Sequence, residues 1–168
     1  PHLIEAAELL QENEDVVFLL LGSGPVKDKL VRESDSRELD NVLFSDRVPL
    51  EEAAAHMAAS DSLLVPLEDH EIYRQFIPSK LFDSMATGRP VLLSVDGEAR
   101  SILEEAEGGL YYPAEDGEAL AESIEWLVEH PEEGKQMGKK GRAYAQENCT
   151  RAVQAQKMAE FLEQIAAT

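Results

Sequence analysis

Cysteine and long apolar segments are scarce in this sequence. Its single cysteine, Cys149, cannot form a disulfide within the chain, which is typical of proteins in a reducing compartment such as the cytoplasm. No apolar run approaches the roughly 18 residues that a membrane-spanning helix requires. The hydrophobic share of 43% and the charged share of 29% are nevertheless those of a globular chain. We therefore expect one folded, cytoplasmic domain with no transmembrane segment in this stretch.

Basic residues are also scarce. The 15 lysines and arginines face 34 aspartates and glutamates, and the formal net charge is −19. A protein that binds the phosphate backbone of a nucleic acid needs a basic stripe, and docking on anionic lipid also needs basic residues. The composition therefore argues against both classes of partner. An anionic ligand must bind where local positive potential overcomes the field of the whole chain.

Short apolar runs alternate with amphipathic segments along most of the chain. The predicted strands are Val16–Leu21, Asn41–Phe44, Asp61–Pro66, Val91–Val95 and Gly109–Tyr112. The predicted helices are 2–12, Val26–Leu39, Leu50–Ala59, Pro78–Thr87, Glu98–Glu105, Asp116–Glu129, Pro131–Asn148 and Arg151–Ala167. The alternation predicts an α/β fold, a doubly wound, Rossmann-like, mostly parallel sheet with helices on both faces. Fully apolar runs such as the first one are typical of strands buried on both faces.

The last three helices follow one another without an intervening strand. Apolar residues recur at helical spacing in this C-terminal tail, which predicts that the tail packs on the sheet. The residues of this pattern are Ile124, Leu127, Met158, Phe161, Leu162 and Ile165.

Ligands of open α/β sheets bind at the carboxyl ends of the strands, here the loops 22–25, 45–49, 67–78 and 96–97. Gly22 and Gly24 lie between a strand and a helix, where glycines allow the backbone to approach a phosphate. Their spacing fits neither the dinucleotide-binding fingerprint nor a P-loop. A plain tight turn is therefore the favoured interpretation of this loop, and a ligand-adjacent loop is the alternative.

The stretch from Gln75 to Asp83 is a more specific candidate. Ser79 and Asp83 are four residues apart, so they share one stripe of the predicted helix. The residues expected to pack inward are Leu81, Phe82, Met85 and Ala86. A helix N-terminus offers unpaired N–H groups to an anion, and a carboxylate one turn later can bind a vicinal diol. The pattern predicts a site for a phosphate and a ribose; the alternative is that Asp83 is an ordinary solvated acid.

The sequence resembles the C-terminal domain of retaining GT-B glycosyltransferases of family 4, also called glycosyl transferases group 1. The resemblance rests on segments in the same order: FLLLGSGP, NVLFSDRVPLEEAAAHMAASDSLLVPL, IPSKLFDSMATGRPVL and GGLYYPAEDGEALAESIEWLVEHPE. It implies one half of a GT-B architecture, in a parent enzyme of polysaccharide or cell-envelope biosynthesis. That enzyme would move a sugar with retention from a UDP- or GDP-type donor to a glycan, lipid or other acceptor, without a metal or other cofactor.

The resemblance also implies roles for particular residues. In the family, two glutamates eight positions apart flank the turn before this helix; the first lies near the sugar and the second holds the ribose hydroxyls. These positions hold Gln75 and Asp83 here. Arg74 and Lys80 are the nearest basic residues, and for Lys80 solvation is as strong an interpretation as phosphate contact. The implied donor-binding residues are Gln75, Phe76, Ile77, Pro78, Ser79, Lys80 and Asp83 at the turn, Gly22 and Gly24, and Asp46, Arg47 and Val48 beside the nucleobase.

The family's diphosphate-neutralising Arg and Lys would lie before Pro1. Residues 1–168 are therefore expected to be a single nucleotide-sugar-binding domain, a fragment without the N-terminal acceptor domain and the first strand, inactive alone and with no catalytic residue of its own. Through the other half, the protein could reach the inner face of the membrane. The acids around His70 do not match a standard metal-ligand spacing, so no metal site is expected. The alternatives are a nucleotide-sugar epimerase-like GT-B enzyme and a degenerate, non-catalytic interaction module; the sugar, base, acceptor and oligomeric state stay open.

Overall fold

The computed structural model describes residues 2–68 and 70–166, with the backbone only for Arg74. Within these residues the strands are β1 (Phe18–Leu21), β2 (Val42–Ser45), β3 (Leu63–Val65), β4 (Val91–Leu93) and β5 (Gly109–Tyr111). The helices are α1 (His2–Leu9), α2 (Lys27–Ser36), α3 (Leu50–Ala59), α4 (Ser79–Ala86), α5 (Glu98–Glu105), α6 (Gly117–Glu129), α7 (Pro131–Asn148) and α8 (Arg151–Ala166). The predicted order of strands and helices is thus confirmed. A 3₁₀ helix, Tyr73–Gln75, lies within the loop 67–78.

The ends of the elements follow local backbone chemistry. Helix α4 begins directly after Pro78, whose extended backbone (φ −67°, ψ 129°) prevents the helix from starting any earlier in the chain. Gly88 follows the end of the same helix with φ +81°, a left-handed conformation that glycine adopts without steric cost. The strands are shorter than the apolar runs, because pairing between β1 and β2 starts only at Phe18 opposite Val42.

The parallel strands form two sheets rather than one continuous sheet. One sheet pairs β1 with β2, and the other has the order β3-β4-β5. The described strands contain no partner for the free edges of β1 and β3. A cleft of about 420 Å³ is lined by Phe18–Leu21 of β1 and by Leu63 and Leu64 of β3. The expectation of a single sheet is therefore corrected to two sheets separated by this β1–β3 cleft.

Helices cover both faces of the strands, as predicted. On β4, Leu92 packs in one apolar cluster, whereas Val91 and Leu93 pack in the other. The first cluster includes residues of α1 and α6, and the second includes residues of α4, α5 and α7. All three residues of β4 are buried. By contrast, Leu19 of β1 is 44% exposed, because it lies at the cleft. The prediction that the first apolar run is buried on both faces is therefore wrong.

The C-terminal tail divides into a packed part and an exposed part. Ile124 and Leu127 of α6 pack against the first apolar cluster, as predicted. On α8 the apolar residues are between 56% and 59% exposed: Met158, Phe161, Leu162 and Ile165. The prediction that α8 packs on the sheet is therefore wrong, because helical periodicity reveals an apolar stripe but not what covers it. In the described ranges, no helix has the length and apolarity needed to cross a bilayer.

Candidate functional site

The turn before α4 leaves an uncapped helix N-terminus. After the 3₁₀ helix the chain is extended at Phe76 (φ −125°, ψ 132°), and Pro78 then occupies the N-cap position without a side-chain hydrogen bond to the helix. The first N–H groups of an α-helix have no partner within the helix. Helices α2, α3, α5 and α7 likewise have no side-chain cap, whereas at α6 the Asp116 carboxylate accepts a hydrogen bond of 2.9 Å from the Ala119 N–H. The N-terminus of α4 is therefore free to donate hydrogen bonds to an anion.

Helix α4 turns its polar stripe toward solvent and toward the β1–β3 cleft. Ser79, Lys80 and Asp83 are exposed, and both Lys80 and Asp83 line the cleft. Neither of these two charged side chains has a hydrogen bond or ion pair in the described part of the chain. A carboxylate and an ammonium group thus flank the same opening, one turn from uncapped N–H groups.

The buried face of α4 differs from the predicted one by a single position. Leu81 and Met85 are buried, as predicted, and Phe82 is half-buried. Ala86, expected to pack inward, is exposed, and Ser84 is buried in its place. The spacing explains the correction, because Leu81, Ser84 and Met85 are three and four residues apart and form one stripe.

The predicted site residues differ in their exposure. Exposed are Gln75, Phe76, Ser79, Lys80, Asp83, Gly24, Asp46 and Arg47; half-buried are Ile77, Gly22 and Val48; buried is Pro78. Ile77 packs against the cluster that contains α4, so it anchors the end of the loop. The side chain of Arg74 lies outside the described residues.

A lysine that the sequence analysis missed joins the loops after β1 and β2. The Lys27 Nζ donates to the Ser45 carbonyl at 2.8 Å and to Asp46 Oδ1 at 2.7 Å. The same Ser45 carbonyl accepts from the Gly22 N–H at 3.2 Å, which favours the turn interpretation of Gly22 because this N–H is already used. The Lys27 hydrogen bond, aided by its charge, lowers the pKa of the Asp46 carboxyl below its ordinary value. Sequence spacing alone could not show this contact, which depends on the parallel pairing of β1 with β2.

Lys27→Met is expected to loosen the loop 45–48. The substitution keeps the apolar stem and removes both hydrogen bonds, so amide exchange in this loop should rise roughly two- to fivefold, the range of an exposed ion pair. Hydrogen–deuterium exchange measures this effect. Lys29→Met is the control, because Lys29 lies on the same helix and is exposed. Equal exchange in Lys27→Met and Lys29→Met would contradict the role of Lys27 in holding this loop. Because the pKa of Asp46 is lowered, the wild-type loop should loosen only as the pH falls through that lowered pKa.

The acidic loop after β3 is described except for Asp69. Among the described residues there is no group of three or more His, Cys, Asp or Glu that could hold a metal ion; Asp69 lies outside them. His70 accepts a hydrogen bond from the Ile72 N–H at 3.2 Å through Nδ1, and its ring lies 5.7 Å from that of Tyr73 in an edge-on geometry. His70 is thus engaged within its own loop.

The predicted segments lie around one end of the sheets. Asp83 lines a cleft that also contains Leu21, the residue before Gly22, and Gly22 is hydrogen-bonded to the loop after β2. These loops all follow the carboxyl ends of parallel strands, the location of ligand sites in open α/β folds. The parallel strands and the helices on both faces define a Rossmann-like α/β domain.

The family is shown by comparison with known proteins. Residues 1–144 match the family model described as glycosyl transferases group 1, and the chain belongs to this family. It is similar to D-rhamnosyltransferase WbpZ of Pseudomonas aeruginosa, with 26% identity over 79% of the chain and 34% of the relative. It is also similar to a GDP-mannose-dependent alpha-(1-6)-phosphatidylinositol monomannoside mannosyltransferase of Mycolicibacterium smegmatis, with 25% identity over 92% of the chain and 41% of the relative.

Solved structures show the same fold. HepE of Anabaena, crystallised with UDP-glucose, superposes with a TM-score of 0.80 at 21% identity over 97% of this chain and 44% of that one. Sucrose-phosphate synthase of Thermosynechococcus elongatus gives 0.78 at 26% identity, over 99% of this chain and 43% of that one. The fold is the Rossmann-like half of a GT-B architecture. The chain spans between 32% and 41% of the length of the curated relatives it matches.

Proposed function

We propose that this domain binds the nucleoside-diphosphate sugar of a parent glycosyltransferase that transfers the sugar, with retention, to a glycan, lipid or other acceptor. The observation that supports this most directly is the uncapped N-terminus of α4 beside the Asp83 carboxylate in the β1–β3 cleft. Family membership supplies the class of reaction. A UDP-glucose complex of HepE and a GDP-mannose-dependent relative favour a UDP- or GDP-type donor.

In this proposal each part of the site has one task. The N–H groups at the start of α4 donate to the diphosphate, where the helix dipole offsets part of the chain's net charge of −19. Asp83 accepts hydrogen bonds from both ribose hydroxyls. Gln75 is uncharged and offers amide hydrogen bonds near the sugar, and the loop 45–48 borders the nucleobase. Lys80 supplies the positive charge nearest to the leaving phosphates, and stabilising that charge is the main catalytic need of such a transfer.

We further propose that residues preceding this stretch in the parent protein complete the site. The free edges of β1 and β3 flank a cleft lined by strand residues of both, which suits an additional parallel strand. Helix α1 leads into β1, so a strand before α1 would make a right-handed βαβ unit in the usual doubly wound order. The same upstream region would supply basic residues for the diphosphate and the acceptor domain. The proposed reaction is cytoplasmic and needs no metal.

Isothermal titration calorimetry of the parent protein with UDP, GDP and their sugars tests the function. We expect one nucleotide to bind with a dissociation constant of about 1 μM to 1 mM, the usual range for enzyme substrates. This domain alone should bind the same nucleotide more weakly, because the upstream part of the site is missing. A parent protein that binds none of these ligands at millimolar concentration contradicts the proposal and favours an interaction module. Conversion of the nucleotide sugar to its epimer without an acceptor favours the epimerase alternative.

A further inference from the structure

A buried serine holds the start of the loop that leads to α4. Ser94 follows β4 and is only 3% exposed. Its Oγ accepts a hydrogen bond of 2.9 Å from the Leu67 N–H and donates one of 3.2 Å to the Leu67 carbonyl. Leu67 lies two residues after the end of β3, where the chain leaves the sheet. One hydroxyl therefore satisfies both backbone groups of Leu67.

The hydrogen bonds between Ser94 and Leu67 follow directly after the last backbone hydrogen bond that pairs β3 with β4. The Ser94 N–H still donates to the Val65 carbonyl at 3.3 Å, and the intervening Pro66 has no N–H to donate. A serine hydroxyl can accept and donate at once, which an apolar side chain at this position could not do. Without the hydroxyl, two half-buried backbone groups would lose their partners, at a cost to the anchored conformation.

The loop is held at both ends and exposed between them. Leu67 and Ile77 both pack against the apolar cluster that contains α4, and Ile77 precedes the buried Pro78. Between these anchors the side chains of Ile72 and Phe76 are 66% and 55% exposed. Between the anchors, the 3₁₀ helix Tyr73–Gln75 contacts α5. The position of Gln75 and of the turn before α4 thus depends on the two anchors together with this contact.

We propose that Ser94 is a positioning residue for donor binding, which rests on the function proposed above. Through the Leu67 backbone it fixes the path of the loop that leads to α4, so that the N–H groups of α4 and the side chain of Gln75 are in place before the nucleotide sugar arrives. Ordering the loop in advance lowers the entropic cost of binding. Loss of the tether should therefore raise the donor KM more than it lowers kcat.

Ser94→Ala in the parent enzyme tests this role through two measurements. Hydrogen–deuterium exchange should show amide exchange in residues 66–76 rising about tenfold, as expected for a lost hydrogen bond of ordinary strength. Steady-state kinetics should show the donor KM rising roughly three- to tenfold with kcat changed less than twofold. Ser101→Ala is the control, because the Ser101 hydroxyl donates to the Gly97 carbonyl at 3.2 Å at an exposed position of α5. That variant should change neither measurement.

The outcomes separate this proposal from the function on which it rests. Unchanged exchange in residues 66–76 overturns the tether. Faster exchange with an unchanged donor KM overturns the positioning role, while the proposed function stands. If the wild-type parent binds no nucleotide sugar, the proposed function fails and the positioning role fails with it. If kcat and the melting temperature both fall while the donor KM is unchanged, Ser94 is a purely structural residue and the positioning role is wrong.

Discussion

Asp83→Ala in the parent enzyme is expected to weaken nucleotide-sugar binding roughly tenfold to hundredfold, the range for hydrogen bonds made to a charged group. The carboxylate is exposed at the β1–β3 cleft and has no side-chain partner in the described residues, so it is available to a ligand. Because the Asp83 carboxylate has no such partner, its removal should change the free energy of unfolding little. Calorimetry gives the change in dissociation constant, and kcat/KM for the donor gives the loss in the reaction.

Two further variants sharpen this test. Asp61→Ala removes another exposed carboxylate, one that lies before β3 at the opposite end of the strands, and should leave donor binding unchanged. Asp83→Glu keeps the charge and introduces the glutamate that the family has at this position, so this variant should retain most of the affinity for the nucleotide sugar. Unchanged kinetics for Asp83→Ala would remove Asp83 from the site. Equal losses for Asp83→Ala and Asp61→Ala would point to overall charge rather than to a ribose contact.

Local chemistry made much of the fold predictable. Pro78 and Gly88 mark the ends of α4 because each restricts or permits specific backbone angles. On β4, alternate residues meet separate helical layers, so all three are buried. The exposed position of Asp83 followed from its four-residue spacing to Ser79. These features depend on neighbouring residues in the chain, which a single sequence displays.

The features that escaped prediction depend on distant parts of the chain. Lys27 and Asp46 are 19 positions apart, and Ser94 lies 27 positions after Leu67. Their contacts exist only because particular parallel strands are neighbours. The division into two sheets likewise depends on which strand edges find partners, and the exposure of α8 depends on what lies beside it. Hydrophobic periodicity shows which residues are apolar but not which element lies beside them. It therefore cannot distinguish a covered strand edge or helix face from an exposed one.

Gly138→Ala is expected to destabilise the domain by about 2–3 kcal/mol, in the range for overpacking a tight contact. An added Cβ at this position of α7 would lie 2.1 Å from the Gly88 carbonyl oxygen and 2.6 Å from its carbon. These are backbone atoms of the turn that ends α4, so no flexible side chain can move aside. The gain in helix propensity of about 1 kcal/mol for alanine over glycine offsets only part of the clash. The melting temperature should fall by roughly 4–12 °C.

Gly134→Ala on the same helix is the matched control. There the added Cβ meets the Leu127 Cδ2 at 3.2 Å, a side-chain atom that can shift, and the Pro90 Cγ at 3.8 Å. Its melting temperature should stay within about 2 °C of the wild type, since propensity and mild crowding nearly cancel. Similar melting temperatures for the two variants would contradict the close approach of α7 to the turn after α4. Because that turn fixes the far end of α4, the destabilised Gly138→Ala variant should also bind the nucleotide sugar less tightly, whereas Gly134→Ala should not.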